Sequence, residues 1–264
     1  MTVYKRQRLL LAMVHAAGGK LSATDLQKLL FMYTRDWEDS PSYDFVPYKY
    51  GCFSFQSYAD RHTLTRHELL APLEKGEWQT TDAADAFLDP VTVNRCERFL
   101  TKAVPERGDE LVAKVYRVDP FFASRSQIID RIFPDGPERD AVERAKSISN
   151  ESTVFTLGYE GLSIDAYLTR LLRNGVQQLC DVRRNPLSRK TGFSKNQLAS
   201  YCSKVGIGYA HMPELGISGD RRRELKTRAD YEQLFSEYKA EDLPTADAAL
   251  SSLEEQVDAH GRVA

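Results

Sequence analysis

VFTLGYEGLSIDAYLTRLLRNGVQQLCDV, residues 154–182, is the stretch that decides the fold. With Thr153 in front, its first residues are a short apolar, β-branched run that reads as a buried strand. Gly158-Tyr-Glu-Gly161 breaks the run. Ser163 is placed to cap a helix, and Ile164, Tyr167, Leu168, Leu171 and Leu172 follow at the spacing of one helical face. Asn174-Gly175 stops that helix, and residues 176–182 form a second strand. Ser194 caps the next helix, with Leu198, Tyr201, Cys202 and Val205 inward and Gly206 closing it. Residues 207–212 supply a third strand. The order β-α-β-α-β predicts a Rossmann-like parallel sheet with right-handed crossovers and flanking helices. Residues 220–239 and 246–260 add helices to it.

Upstream of this unit the pattern is mainly helical. Residues 4–17 read as a helix ended by Gly18-Gly19. Ser22 or Thr24 caps a second helix with Leu26, Leu29, Leu30 and Tyr33 on its apolar face. Two helices around a short Gly turn read as a plain helical hairpin packing its own core, or alternatively as a helix-turn-helix or winged-helix unit. Helical patterns recur at 55–70 and 92–103, and Gly76-Glu-Trp-Gln-Thr-Thr81 alternates between them like a small strand or wing. Residues 111–116 and 120–126 read as a helix, a break and another helix. Residues 135–152 are polar and punctuated by Pro and Gly, and read as a linker. The expected organisation is a helical, winged-helix-like domain over 1–150 and an α/β domain over 151–264.

Bulk properties narrow the function classes. The chain has 264 residues, 42% hydrophobic and 28% charged, enough apolar content for packed cores. The net charge of −2 excludes a global cationic field and leaves local basic patches open. No apolar run approaches the roughly 18 residues of a membrane span, so no membrane association is expected. The apolar run 9–17 follows Lys5, Arg6 and Arg8 but lacks a small-residue cleavage pattern, which argues against a signal peptide. Cys52, Cys96, Cys180 and Cys202 are widely spaced, with no CxxC pair and no Cys/His knuckle. Reduced thiols in a cytoplasm are the expectation, with no metal and no cofactor.

The topology places a site. In open α/β sheets ligands bind beyond the carboxyl ends of the strands. The three strands end in Gly158-Tyr159-Glu160, Asp181-Val-Arg183-Arg184 and His211-Met-Pro-Glu214, which converge on one edge. Gly158 either makes a turn or admits a ligand to a helix amino end, where an anion is favoured. Asp181 is either half of a structural pair with Arg183 or a general base or ribose-hydroxyl acceptor. Arg183, Arg184, Arg189 and Lys190 share one loop with Asn185, Pro186 and Ser188. That loop is either a solvated surface or a phosphate-binding one. His211 is a hydrogen-bonding histidine or a catalyst. By alternation Cys180 faces the core. Arg221, Arg222 and Arg223 form a solvated face or a basic rim.

Two resemblances attach to these motifs. Gly158-Tyr159, Asp181-Val182-Arg183, Pro186, Ser188, Phe193, Tyr209 and Leu215-Gly216 occur in the order of the domain of unknown function 488 family. The resemblance runs from about Val154 to the chain end. It implies a small Rossmann-like domain of bacterial and archaeal proteins. As site residues it implies Asp181 and Arg183, with Ser188 and Tyr209 beside them and Tyr159 in the same motif set. Members of the family usually continue past a strand such as Arg262-Val-Ala264 into a cysteine, an acidic residue and a Cys-His-Arg motif. This sequence ends at Ala264, so the expectation is either a truncated form or a protein that lacks those groups, with the strand near Val263 incomplete; if the cysteine and histidine are catalytic in the family, enzyme chemistry here is weakened.

The second resemblance lies upstream. Lys28-Leu-Leu-Phe31 and Lys49-Tyr50-Gly51 resemble the helix and turn motifs of the phage-associated Panacea-type antitoxin domain, over about residues 20–75. In that segment Gly51 supplies a turn and the aromatics pack on the helices; alternatively Tyr48, Lys49 and Tyr50 stack on and neutralise a nucleic acid strand. Three functional classes follow: a DNA- or RNA-associated protein of phage defence or a mobile element, an enzyme acting on a nucleotide or other phosphorylated small molecule, and an antitoxin-like regulator that binds a protein partner.

Overall fold

The computed structural model describes residues 2–264 except 73, 75, 148, 150, 223 and 224. Among these residues no helix is long and apolar enough to cross a membrane. The chain forms two compact units, one of Met1–Ser147 with Leu162–Thr169 and one of Ile148–Gly161 with Arg170–Ala264.

The first unit begins with α1 (Lys5–Ala16), β1 (Lys20–Ser22) and α2 (Ala23–Asp36). The Gly pair between α1 and β1 adopts φ of +88° and +81°, the left-handed region that glycine enters freely. Of the two candidate caps, Ser22 is the one used: its hydroxyl accepts from the Asp25 amide at 3.0 Å. The expected face of α2 is buried, and so are Gln27, Lys28, Phe31 and Met32. The reason is position, since α1, α5 (Gly108–Val118) and a strand surround the helix. That strand, β3 (Gly51–Phe53), forms a hairpin with β2 (Val46–Tyr48). The hairpin leads into α3 (Phe55–Arg66). The segment expected as a small strand or wing holds a strand, β4 (Glu77–Gln79), which pairs antiparallel with β1, Leu21 opposite the buried Trp78.

The remainder of the unit is helical. The expected helix at 92–103 begins earlier, as α4 (Pro90–Arg98), because Asp89 caps the Val91 and Thr92 amides and Pro90 suits a first helical position. A wider turn over Phe99–Ala103 extends it. Residues 120–126 are a short helical turn rather than a helix. After α6 (Ile129–Ile132) comes a correction to the expected linker: residues 137–146 are α7 (Pro137–Lys146), with Val142 fully buried. Pro137 reads as punctuation in sequence, yet at this position it starts a helix.

The second unit is built on a parallel sheet of order β5-β8-β6-β7. Its strands are β5 (Thr153–Val154), β6 (Gln178–Asp181), β7 (Gly208–His211) and β8 (Arg262–Val263). The helices are α8 (Ile164–Arg173), within which the division between units falls, then α9 (Lys195–Lys204), α10 (Arg228–Glu237) and α11 (Asp247–His260). Strand β6 is central and buried at all four positions. Strand β5 departs from expectation: it is short, and Val154 is 57% exposed, because β5 is an edge strand. The final strand lies between β5 and β6, pairing Val263 with Val154 on one side and Gln178 on the other. Cys180 packs with Met212, Leu215, Ala246 and Val263 under α11, as alternation required. The expected long helix at 220–239 is instead a helical turn followed by α10.

Candidate functional site at the carboxyl edge of the sheet

Strands β6 and β7 run in register, Leu179 beside Tyr209 and Asp181 beside His211, so their carboxyl ends finish together. Asp181 is 6% exposed. Its carboxylate accepts from the Arg183 amide at 3.1 Å, Arg183 Nε at 2.8 Å, Arg183 Nη2 at 2.6 Å and the Tyr209 hydroxyl at 2.7 Å. Two donors reach each oxygen, which occupies the lone pairs of the group. Burial raises the Asp181 pKa, but the hydrogen bonds of Arg183 and Tyr209 outweigh it and the net shift is downward. The same pair raises Arg183, and burial followed by the bond to Asp181 raises Tyr209. Of the two readings of Asp181, the Asp–Arg pair is present.

Arg183 does more than pair. Its Nη1 donates to the Phe193 carbonyl at 2.8 Å, and its guanidinium lies 5.2 Å from the centre of the Tyr159 ring. Tyr159 in turn stacks on the buried Phe193, ring centres 4.7 Å apart. Lys190 Nζ donates to the Tyr159 carbonyl at 3.1 Å and sits over the Phe193 ring. Thus the polar end of β5, the loop after β6 and the entry to α9 are tied to one another. His211 closes the other side. Its Nε2 lies 2.9 Å from the Arg183 carbonyl and its Nδ1 2.9 Å from Lys195 Nζ. A carbonyl only accepts and an ammonium only donates, so the neutral ring carries its proton on Nε2.

The loop itself is held by two serines. Ser188 Oγ accepts from the Lys190 amide at 3.1 Å. Ser194 stands at the amino end of α9, but its hydroxyl makes no cap; it donates to the Ser188 carbonyl at 3.0 Å and pinches the loop closed. Gly216 packs against the other side. A side-chain carbon there would lie 2.2 Å from the Val182 carbonyl oxygen and 2.7 Å from the Arg184 amide, so only glycine fits. Arg184 and Arg189 point outward from this braced loop, exposed, and neither has a carboxylate partner among the described residues. Gly158 is exposed with open space around it, so no packing demands glycine there.

Of the two readings of Arg221–Arg223, the basic rim has less support at Arg221, which pairs with Asp242 and Glu237. Arg223 lies outside the described residues. Sequence reading missed Lys195, the partner of His211; one more lysine after a cap residue gives no signal in sequence. No group of three or more Asp, Glu, His or Cys suited to a metal occurs among the described residues.

Residues 163–264 match the family model of the domain of unknown function DUF488. No curated protein and no solved structure matches the chain. The DUF488 segment contains Asp181, Arg183, Ser188, Tyr209, His211 and Gly216, and begins after Gly158 and Tyr159.

Proposed function

We propose that the second unit binds a nucleic acid, DNA or RNA, through its phosphate backbone, with Arg184 and Arg189 as the anchoring cations. The observation that carries this reading is a braced loop at the carboxyl edge of the sheet whose outer arginines have no carboxylate partner among the described residues. Arginine suits phosphate because its planar fork donates two parallel hydrogen bonds. Asp181, Ser188, Ser194 and Gly216 belong to the scaffold of this reading, since each fixes the loop rather than facing outward. An exposed loop, with Leu187 78% exposed between the two arginines, suits an extended polymer better than an enclosed small molecule. An acid–base role for Asp181 has less support, because its lone pairs are already taken.

The test is fluorescence anisotropy with labelled single-stranded and duplex DNA and RNA at two salt concentrations. Binding is expected to weaken with salt. Arg184→Ala and Arg189→Ala are each expected to weaken it and to reduce the log–log salt slope by about 0.7–0.9 for each phosphate the arginine neutralises. No binding at low salt, or binding that neither substitution alters, overturns the proposal.

A further inference from the structure

The first unit holds a cavity of about 530 Å³ that the function proposed above does not use. Its wall includes Lys28 of α2 and the β2–β3 turn, residues 48–51. This volume falls within the roughly 300–1,000 Å³ of sites that take small organic molecules.

Lys28 is the unusual member. It is 2% exposed, and its Nζ donates one hydrogen bond, 3.0 Å to the Cys52 carbonyl. An ammonium has three donors, and among the described residues no carboxylate forms an ion pair with this one. A buried cation with no carboxylate in contact is costly, and burial here pulls the Lys28 pKa down against the weaker opposing pull of Cys52 and Asp25. An anion entering the cavity would supply the missing partner.

The rest of the wall is aromatic. Tyr48, Tyr50, Phe53 and Tyr58 line the cavity, with Tyr50 49% exposed and free to meet a ligand ring. Lys49 stands at the same turn, its ammonium 5.8 Å from the Tyr48 ring centre. The turn is rigid. Gly51 has φ of +98°, and a side-chain carbon there would lie 2.6 Å from the Tyr116 ring. The Gln127 amide donates to the Lys49 carbonyl at 2.8 Å. Phe53 packs edge-on against Phe55 and is tilted against Tyr48 and Tyr58, so these rings are set before any ligand arrives.

We propose that this cavity binds a planar aromatic anion of about nucleoside-monophosphate size, its anionic group on Lys28 and its ring system against Tyr48 and Tyr50. A mononucleotide and an aromatic carboxylate share this chemistry, and the test separates them.

Isothermal titration of the full chain with the four ribonucleoside monophosphates, with indole-3-carboxylate and with inorganic phosphate is the measurement. At least one aromatic anion is expected to bind at one per chain, and inorganic phosphate at least tenfold more weakly. Nucleotides binding over the carboxylate assigns the nucleotide source, and the reverse assigns the carboxylate. Lys28→Met keeps the volume and removes the charge; it is expected to lower affinity tenfold or more while the thermal transition is retained. Tyr50→Ala, at an exposed position the fold does not need, is expected to lower affinity severalfold. Arg189→Ala is expected to leave this binding unchanged, which separates this site from the loop of the second unit. If none of these probes binds at millimolar concentration, or if both Lys28→Met and Tyr50→Ala bind as the native chain does, the proposal is overturned. It is also overturned if an oligonucleotide binds at Tyr50 while every mononucleotide fails, which would make the turn a strand-binding surface.

Discussion

Arg183 supplies three of the four hydrogen bonds that the buried Asp181 carboxylate accepts. Removing its side chain leaves a charge in the sheet edge with Tyr209 as the remaining side-chain donor. Breaking one side of such a pair costs about 3–5 kcal/mol, whereas removing both charges costs less. Arg183→Met is therefore expected to lower the stability of the second unit by that amount in urea unfolding, and adding Asp181→Asn is expected to recover part of it. A single-variant cost under about 1 kcal/mol would mean that solvent replaces the guanidinium and that the pair is not structural. The pH sign follows from the direction of the shift. Asp181 is depressed in the fold, so its contribution is present above the ordinary carboxylate range and is lost as pH falls through the lower folded value. At this scale sequence was informative where a strand ends on a polar residue: Asp181 and His211 were legible because each follows an apolar run. Lys195 was not, because its role depends on where α9 begins relative to β7, which no local pattern encodes.

Helix α3 depends on a residue far from it in sequence. Asp165, fully buried, accepts from the Ser54 hydroxyl at 2.9 Å and from the Phe55 and Gln56 amides at 2.7 and 3.0 Å. These amides open α3 and have no partner within the helix. Burial nevertheless dominates, and pushes the Asp165 pKa up to about 7 against the hydrogen bonds that lower it. A carboxyl raised in the fold binds its proton there more tightly than in the unfolded chain. Its contribution is thus favourable at low pH and declines as pH rises from about 4 to about 7. The stability of the native chain minus that of Asp165→Asn is expected to fall by about 2–4 kcal/mol between pH 4.5 and 8. A flat difference would mean that the three donors outweigh burial and that the carboxylate is charged throughout. Among elements, those with strong local signals were legible in sequence: α2 through its cap, α8 through its apolar face, β6 as a run before Asp181. The order of the sheet was not. The last strand lies between β5 and β6, and parallel pairing across so many residues leaves no trace in local periodicity. Ser194 shows the same limit on a smaller scale, since a cap residue in sequence became a loop clasp in three dimensions.

On the scale of the whole chain, the family boundary and the physical boundary differ. The DUF488 match begins at residue 163, whereas Leu162–Thr169 is counted with the first unit and 148–161 with the second. A cut at 163 would remove β5, which pairs with β8, and Tyr159, which stacks on Phe193. A cut at 147 would remove Asp165 and leave the opening amides of α3 without their acceptor. Buried donors left unpaired cost about 1–3 kcal/mol each. Thr169 adds to this, since its hydroxyl donates to the Phe45 carbonyl at 2.6 Å next to β2. The fragment 1–172 is therefore expected to unfold cooperatively at a higher temperature than the fragment 1–147, compared by circular dichroism in the same buffer. Asp165→Ala in the longer fragment is expected to remove most of that difference, because the gain lies in a specific acceptor rather than in added length. Equal midpoints for the two fragments would mean that α3 is capped by solvent, and the boundary of the first unit would then lie at Ser147 alone.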